Sequence, residues 1–163
     1  GRTVRDGGGI TPDVTIEGHD YSRLTYSLVY SGIIQEYALD FVRSHDSAEE
    51  DFHLADKDWD GFVAFAKTKE FDYRSSAKTY FDRMKKELEK DGLSKNMSAE
   101  LDALQKALEM DKETFLKLKK DEIVPFIEEE IAVRYHFQEA GIKIRLRYDE
   151  QLKKALASPM IEL

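Results

Sequence analysis

The sequence predicts a mainly α-helical domain of six or seven helices, preceded by a short extended segment. From Tyr21 onward, apolar residues recur at the three- and four-residue spacing of a helix. Before that point the chain is rich in glycine and β-branched residues, and it offers one extended stretch without partner strands. The hydrophobic content of 41% is enough for a core, while 9 Gly and 3 Pro exclude collagen-like and low-complexity proteins.

Residues 1–20 are predicted to be a loop followed by one strand. The run Gly7-Gly8-Gly9 cannot lie inside a helix, where each glycine costs about 1 kcal/mol relative to alanine. We therefore predict an extended stretch from residue 10 to residue 16. Because a lone strand is not stable by itself, residues 1–20 look like the end of another domain. We place the helical domain at residues 21–163.

The first predicted helix, over residues 22–43, carries a broad apolar stripe and further apolar residues beside it. The stripe consists of Leu24, Leu28, Ile33 or Ile34, Tyr37 and Phe41. A helix that is apolar on several faces is usually buried on several sides. The same spacing predicts further helices over 59–69, 74–90, 97–109, 112–120 and 121–139.

Glycines are expected to end two of these helices. Gly92 follows the helix over 74–90, and Gly141 follows the helix over 121–139. Residues 143–148 alternate in polarity like a strand, but they could equally lead into a last helix. We favour a helix from Leu146 to about residue 157.

Charge and composition exclude several classes of function. The net charge of -8 argues against broad electrostatic binding to DNA, RNA or anionic lipid. The absence of cysteine excludes disulfides, a thiol nucleophile and a cysteine-ligated metal. No apolar run approaches the roughly 20 residues that a membrane helix needs. Because the chain begins with Gly1, we expect it to continue a longer polypeptide whose targeting segment lies upstream.

The segment from Asp56 to Gly61 matches the opening of a calcium-binding EF-hand loop. Asp56, Asp58 and Asp60 occupy ligand positions, and the glycine occupies loop position six. The twelfth position, which should be a bidentate glutamate, is Lys67. An ammonium group there would repel the ion. The other interpretation is that Asp58 or Asp60 caps a helix that begins near residue 59.

Other candidate sites are weaker. The residues His45, Asp46, Glu49, Glu50, Asp51 and His53 form an acidic, histidine-containing cluster. Glu49 and His53 have the spacing of metal ligands on one helix, but such a pair occurs often by chance in a chain with 36% charged residues, so we interpret the cluster as a solvated loop. No phosphate-binding loop follows the glycine run, and no motif marks an activated serine. We assign no catalytic, cofactor-binding or metal residue beyond the three aspartates.

Several short segments carry a family resemblance. They are Gly1-Arg2, Gly7-Gly8-Gly9-Ile10-Thr11-Pro12-Asp13, Leu24-Thr25-Tyr26-Ser27-Leu28, Phe71-Asp72-Tyr73, Glu129-Glu130-Ile131-Ala132-Val133-Arg134-Tyr135, and Leu146-x-Tyr148-Asp149. The first two resemble the end of the catalytic domain in carboxyl-terminal processing (tail-specific) serine peptidases. The others resemble the helical region of the Bacteroidetes-type members of that family.

The resemblance implies a substrate-binding PDZ domain and a Ser/Lys catalytic dyad, both upstream of this chain. Neither dyad motif is present here, so no catalytic residue is transferred to this sequence. Residues 21–163 would be a C-terminal helical extension, which in relatives supports the protease core and often contributes to dimer contacts. Because the absent core would cover part of the first helix, we expect an exposed apolar patch near residues 10–34.

The leading hypothesis is therefore a non-catalytic helical domain of an exported serine endopeptidase that processes proteins near their C-termini. It would have a scaffolding or oligomerising role in the periplasm or cell envelope. Its partners would be the upstream protease and PDZ domains, a second copy in a homodimer, and protein substrates of the parent, without nucleic acid or cofactors. The alternatives are a free-standing helical interaction module and a calcium-responsive module that uses Asp56, Asp58 and Asp60.

Overall fold

A computed structural model describes residues 15–16, 18 and 20–157. These residues form α-helices and one short 3₁₀ helix, and they contain no strand, which confirms the mainly-α class. The α-helices are α1 (Arg23–Tyr30), α2 (Ile33–Ser44), α3 (Asp56–Lys67), α4 (Ser76–Lys90), α5 (Ser98–Leu108), α6 (Lys112–Leu118), α7 (Lys120–Arg147) and α8 (Glu150–Leu156), and the 3₁₀ helix is Ser94–Met97. None of the helices in this part of the chain is long and apolar enough to cross a membrane.

The chain divides into two compact units. One is Tyr21–Asp149, and the other is Gly1–Asp20 together with Glu150–Leu163. In the second unit the structure describes mainly α8, in which Lys153 forms an ion pair with Glu150. The glycine run and most of the predicted strand lie outside the described residues, so the strand and its assignment to a protease core stay predictions.

The predicted first helix is divided into α1 and α2. The chain turns at Ser31 and Gly32, where Gly32 has a φ of 75°, a conformation that glycine adopts at no steric cost. The turn lets both helices pack on α7. This division helps to explain why the structure has more helices than the six or seven predicted.

The core lies between α1, α2, α3, α6 and α7. Its buried residues are Leu24, Leu28, Ile33, Ile34, Tyr37, Ala38, Phe41, Trp59, Phe62, Val63, Ala66, Phe115, Leu116, Ile123, Ile127 and Ile131. The predicted stripe of α1 and α2 is therefore confirmed as the buried face. We call these five helices the body.

Helix α7 is a hairpin of two helical arms. His136 and Phe137 have non-helical backbone angles, and they separate an arm over 120–135 from an arm over 138–147. The prediction that Gly141 ends the helix is wrong, because Gly141 lies inside the second arm. A Cβ atom at this position would lie 2.4 Å from Cγ2 of Val133, so the glycine allows the two arms to pack closely.

Helices α4 and α5 form a second hairpin that is much less buried than the body. Gly92 ends α4 as predicted, with a φ of 71° and a hydrogen bond from the Leu93 amide to the Leu88 carbonyl. Across the seam, Lys85 Nζ donates to Gln105 Oε1 over 3.0 Å. Only Phe81 and Leu101 are buried in these two helices.

Candidate interaction surface

A row of aromatic rings lies on α1 and continues onto α7. The Tyr21 ring meets Phe126 edge-on at 5.1 Å and Tyr26 at 6.1 Å, and Tyr26 stacks on Tyr30 at 6.1 Å with an interplanar angle of 16°. Tyr26 is 43% exposed and Tyr30 is 85% exposed. We call these four residues the α1 aromatic surface. It confirms the expected exposed apolar patch within the described part of residues 10–34.

Hydrogen bonds hold the start of α1 against the start of α7. Glu122 Oε2 accepts from the backbone N–H of Ser22 over 2.8 Å and from Thr25 Oγ1 over 2.9 Å. Ser22 also caps α1, because its Oγ accepts from the Thr25 amide. The α1 aromatic surface therefore stands on a fixed support.

The carboxylate of Glu122 is the centre of this support. Burial alone would raise its pKa, but hydrogen bonds from Lys119, Ser22 and Thr25 outweigh that effect and lower the pKa to about 2. The Lys119 ammonium donates to Oε1 over 2.7 Å. Glu122 is thus ionised and hydrogen-bonded through both oxygens at neutral pH.

A second buried carboxylate joins the two arms of α7 to the loop before α3. Glu128 is 2% exposed, and it accepts from the Leu54 amide, Arg147 Nη1 and Tyr148 Oη over 2.8, 3.0 and 2.8 Å. Burial and the adjacent Glu128 carboxylate raise the pKa of Tyr148 to about 12. All of these groups are satisfied internally, so this cluster stabilises the hairpin and does not form an open site.

The turn between the two arms of α7 exposes another aromatic ring. Phe137 has φ 62° and ψ -170°, a region that is almost restricted to glycine and costs about 1–3 kcal/mol for other residues. Its side chain is 81% exposed. The neighbouring residues are anchored, since His136 Nε2 donates to the Ala48 carbonyl over 2.6 Å and Tyr135 Oη donates to the His45 carbonyl over 2.6 Å.

The α4–α5 hairpin exposes a third set of apolar side chains. Lys85 and Gln105 are hydrogen-bonded across the seam between the two antiparallel helices. Met84 and Leu104 each come one residue before this pair, so both side chains lie on the same flank of the hairpin. Tyr80, one turn before Met84, is 69% exposed on that flank. A cleft of about 380 Å³ lies where the hairpin meets the body, and it is lined by Tyr73, Arg74, Ser75, Lys78, Leu108, Glu109, Met110, Asp111 and Phe115.

Comparison with known families found a match over most of the chain. A family model described as "Probable PDZ-protease, C-terminal helical domain" matches residues 24–158, more than four fifths of the chain. The chain belongs to this family. The match confirms the predicted resemblance to the C-terminal region of a processing peptidase. No significant match was found among curated proteins or among solved structures.

Membership in a family of C-terminal helical domains of PDZ proteases is consistent with a non-catalytic part of a protease. We therefore interpret the exposed apolar features of this helical domain as contact surfaces. The α1 aromatic surface and the Phe137 turn have the exposed apolar character of contact sites.

The three aspartates of the calcium hypothesis lie on a helix in this domain. Helix α3 begins at Asp56, so Asp56 and Asp60 share one face at the i, i+4 spacing while Asp58 points away from them. Asp56 pairs with Lys120 at 2.7 Å, and the Asp58 carbonyl accepts from Tyr37 Oη over 2.6 Å. Nowhere in the described sequence do three or more His, Asp or Glu side chains form a group that could hold a metal ion.

The capping interpretation of Asp58 and Asp60 is wrong. The N-cap of α3 is Ala55, and both aspartates lie within the helix. The helix begins earlier than predicted because Trp59, Phe62, Val63 and Ala66 extend one buried face back to its first turn.

The acidic, histidine-containing cluster lies in the loop between α2 and α3. The loop is mostly exposed, as predicted, and two of its acids pair with the second arm of α7. Arg147 forms an ion pair with Asp51, and Lys143 pairs with Glu50 at 3.1 Å. These two ion pairs connect the cluster to the second arm of the α7 hairpin. Sequence reasoning missed the turn at Phe137, because neither glycine nor proline marks it.

Proposed function

We propose that this domain is the non-catalytic C-terminal part of an exported serine endopeptidase that processes proteins near their C-termini. It would act by packing against the protease part of the same polypeptide and supporting it. The family description supports the protease assignment. The resemblance of Gly7–Asp13 to the end of a tail-specific protease core supports the finer class of enzyme.

One observation carries the supporting role, and it is the α1 aromatic surface. In a C-terminal domain, the protease part precedes α1 in the polypeptide, so α1 is the helix nearest to it in sequence. Tyr26 and Tyr30 form a stacked, exposed pair on this helix, and hydrogen bonds to Glu122 hold the start of the helix. Tyrosine is enriched at the energetic centre of protein interfaces, where its ring is buried against a partner.

The catalytic chemistry of the proposed enzyme lies outside this chain. A neutral lysine would take the proton of the serine hydroxyl as the serine attacks the peptide carbonyl. The peptide C–N bond would break, the C-terminal fragment would leave as an amine with that proton, and water would then hydrolyse the acyl-enzyme ester to a carboxylate and the free serine. The substrates would bind to the PDZ domain and the protease cleft. The enzyme would act in the periplasm or cell envelope, and a homodimer formed through the helical domains is part of the proposal.

The experiment compares three polypeptides on an unfolded protein substrate with an apolar C-terminal tail. They are this chain, the full-length protein, and the full-length protein without residues 21–163. We expect activity in the full-length protein, no activity in this chain, and a large loss on deletion. Unchanged activity after the deletion would exclude the supporting role, and no activity in any of the three would exclude the peptidase.

A free-standing interaction module is a second candidate, and the α4–α5 flank favours it. Tyr80, Met84 and Leu104 are exposed on this flank, and methionine adapts to partners of different shape. In this case an amphipathic helix would bind along the flank. Such a module would bind its partner with the same affinity whether or not the protease part is attached.

A further inference from the structure

Phe137 combines two unfavourable features at one exposed position. Its φ of 62° and ψ of -170° are strained for a residue with a Cβ atom, and its ring is 81% exposed. Glycine at this position would remove both the strain and the exposed ring. Strain of this kind persists where the surrounding structure enforces it, and it is concentrated at functional sites.

The ring is presented by a rigid support. The residue before it, His136, is bonded to the Ala48 carbonyl, and Tyr135 is bonded to the His45 carbonyl. The two arms of α7 pack closely at Gly141 and are joined by an ion pair between Arg145 and Glu129. A backbone held in this way loses little conformational entropy when the ring enters a partner pocket.

Acidic residues lie in the two segments beside the ring, namely the loop bonded to Tyr135 and His136 and the start of the second arm of α7. Asp46 lies close enough to Tyr135 that, after burial, its charge raises the pKa of that phenol. Glu49 follows Ala48 in the same loop, and Glu139 lies two residues after Phe137 and pairs with Lys143 at 3.1 Å. A complementary surface would therefore have an apolar pocket with basic residues at its rim.

We propose that Phe137 is an anchor residue that inserts into an apolar, basic-rimmed pocket on the PDZ-protease part of the same polypeptide. This inference rests on the proposed function, because it takes the protease part as the partner. Attachment within one polypeptide gives the partner an effective concentration in the millimolar range, so one aromatic anchor can contribute even when its own affinity is low. Phe137 would add a second contact to the one made by the α1 aromatic surface.

The test compares amide hydrogen exchange in this chain and in the full-length protein. If the ring is inserted, amides at 45–49 and 136–139 exchange about tenfold more slowly, or slower still, in the full-length protein. The variant Phe137→Ala abolishes this slowing. The matched control Tyr80→Ala removes an exposed ring from an unstrained helix, and the slowing persists.

Thermal unfolding of this chain gives an independent readout. Phe137→Gly raises the unfolding midpoint above that of Phe137→Ala, because only glycine relieves the positive φ. An equal unfolding midpoint in the two variants would show that the backbone at Phe137 is not strained, and would overturn this part of the proposal.

The exchange experiment separates this inference from the proposed function. Slowing in α1 without slowing at 45–49 and 136–139 overturns the Phe137 anchor and leaves the proposed function standing. Slowing that survives Phe137→Ala also overturns the anchor. Absence of slowing in both regions overturns the anchor and the supporting role together.

Discussion

The body and the α4–α5 hairpin are built from helices with similar apolar spacing, yet they bury their apolar side chains to different degrees. Helices α2 and α7 pack along each other and on further helices, so Ile34, Ile127 and Ile131 are fully buried. Helices α4 and α5 pack mainly on each other and bury only Phe81 and Leu101. Apolar periodicity therefore predicts a helix and its inward face, but the number of neighbouring helices decides the burial.

The two regions also differ in what they expose. The body exposes aromatic side chains near half-buried polar contacts. Tyr26 and Tyr30 lie on the helix whose start is bonded to Glu122, and Phe137 follows His136, which is bonded to the Ala48 carbonyl. The hairpin exposes Tyr80, Met84 and Leu104 along a flank with few such contacts. We infer that the rigid body carries the contacts to the protease part.

Removing a core side chain from the body should have the largest effect. Ile127→Ala deletes buried methyl and methylene groups between the helices of the body, and we expect it to reduce the free energy of unfolding by about 3 kcal/mol. Chemical denaturation followed by circular dichroism measures this loss. A change below about 1 kcal/mol would mean that the body is not the stable part of the domain.

Disturbing the close packing of the two α7 arms should have the second-largest effect on stability. Gly141→Ala places a methyl group against Val133, and we expect a loss of about 2 kcal/mol in the free energy of unfolding. The control is Gly61→Ala, where the nearest atom, Tyr37 Oη, is 3.4 Å from the added Cβ atom. Equal effects of the two substitutions would contradict the close approach of the arms.

The Glu122 support should respond to pH and to substitution. Its folded-state pKa of about 2 lies below the ordinary value of 4.5, so its stabilising contribution is present above pH 4.5 and is lost as the pH falls toward 2. Glu122→Gln should cost about 1 kcal/mol at neutral pH and reduce the acid dependence of unfolding between pH 4.5 and 2.

Glu113 is the matched control for this prediction. Hydrogen bonds from Lys117 and Lys67 lower its pKa to about 2 as well, but its side chain is 39% exposed. Solvent screens exposed ion pairs, so Glu113→Gln should change the stability at neutral pH much less than Glu122→Gln. Equal effects would show that burial does not distinguish the two carboxylates.

The smallest effect on the whole domain should come from the hairpin. Phe81→Ala removes one of its two buried apolar side chains, so we expect amides of α4 and α5 to exchange about tenfold faster. Amides of α2 and α7 should keep their exchange rates. Equal acceleration throughout Tyr21–Asp149 would show that the hairpin and the body unfold as one unit.

The sequence alone predicted the helical class, most helices and the inward stripe, because these depend on local spacing. The sequence did not predict the turn between α1 and α2 or the turn within α7, because long-range packing decides the geometry at both places. Gly32 lay inside an apolar run that looked continuous, and Gly141 looked like a helix end although it allows two arms to pack. The turn at Phe137 has no local signal, and the hydrogen bonds of the residues before it, Tyr135 and His136, go to carbonyls about 90 residues away in sequence.

The candidate site was predicted only in outline. An exposed patch near residues 10–34 was expected because an absent protease core would cover part of the first helix, and Tyr26 and Tyr30 are exposed there. The partners of Glu122 and Glu128 are too distant in sequence to be predicted from spacing. The EF-hand pattern was misleading as a guide to geometry, because the packing of Trp59 and Phe62 places Asp56, Asp58 and Asp60 on a helix.

Tyrosine nitration of the full-length protein, located by mass spectrometry, tests the central claim most directly. Tyr30 is 85% exposed and Tyr80 is 69% exposed in this domain, so both should react readily in this chain. If the protease part packs on the α1 aromatic surface, Tyr30 will be protected in the full-length protein while Tyr80 stays reactive. Equal reactivity of Tyr30 and Tyr80 in the full-length protein would contradict the account.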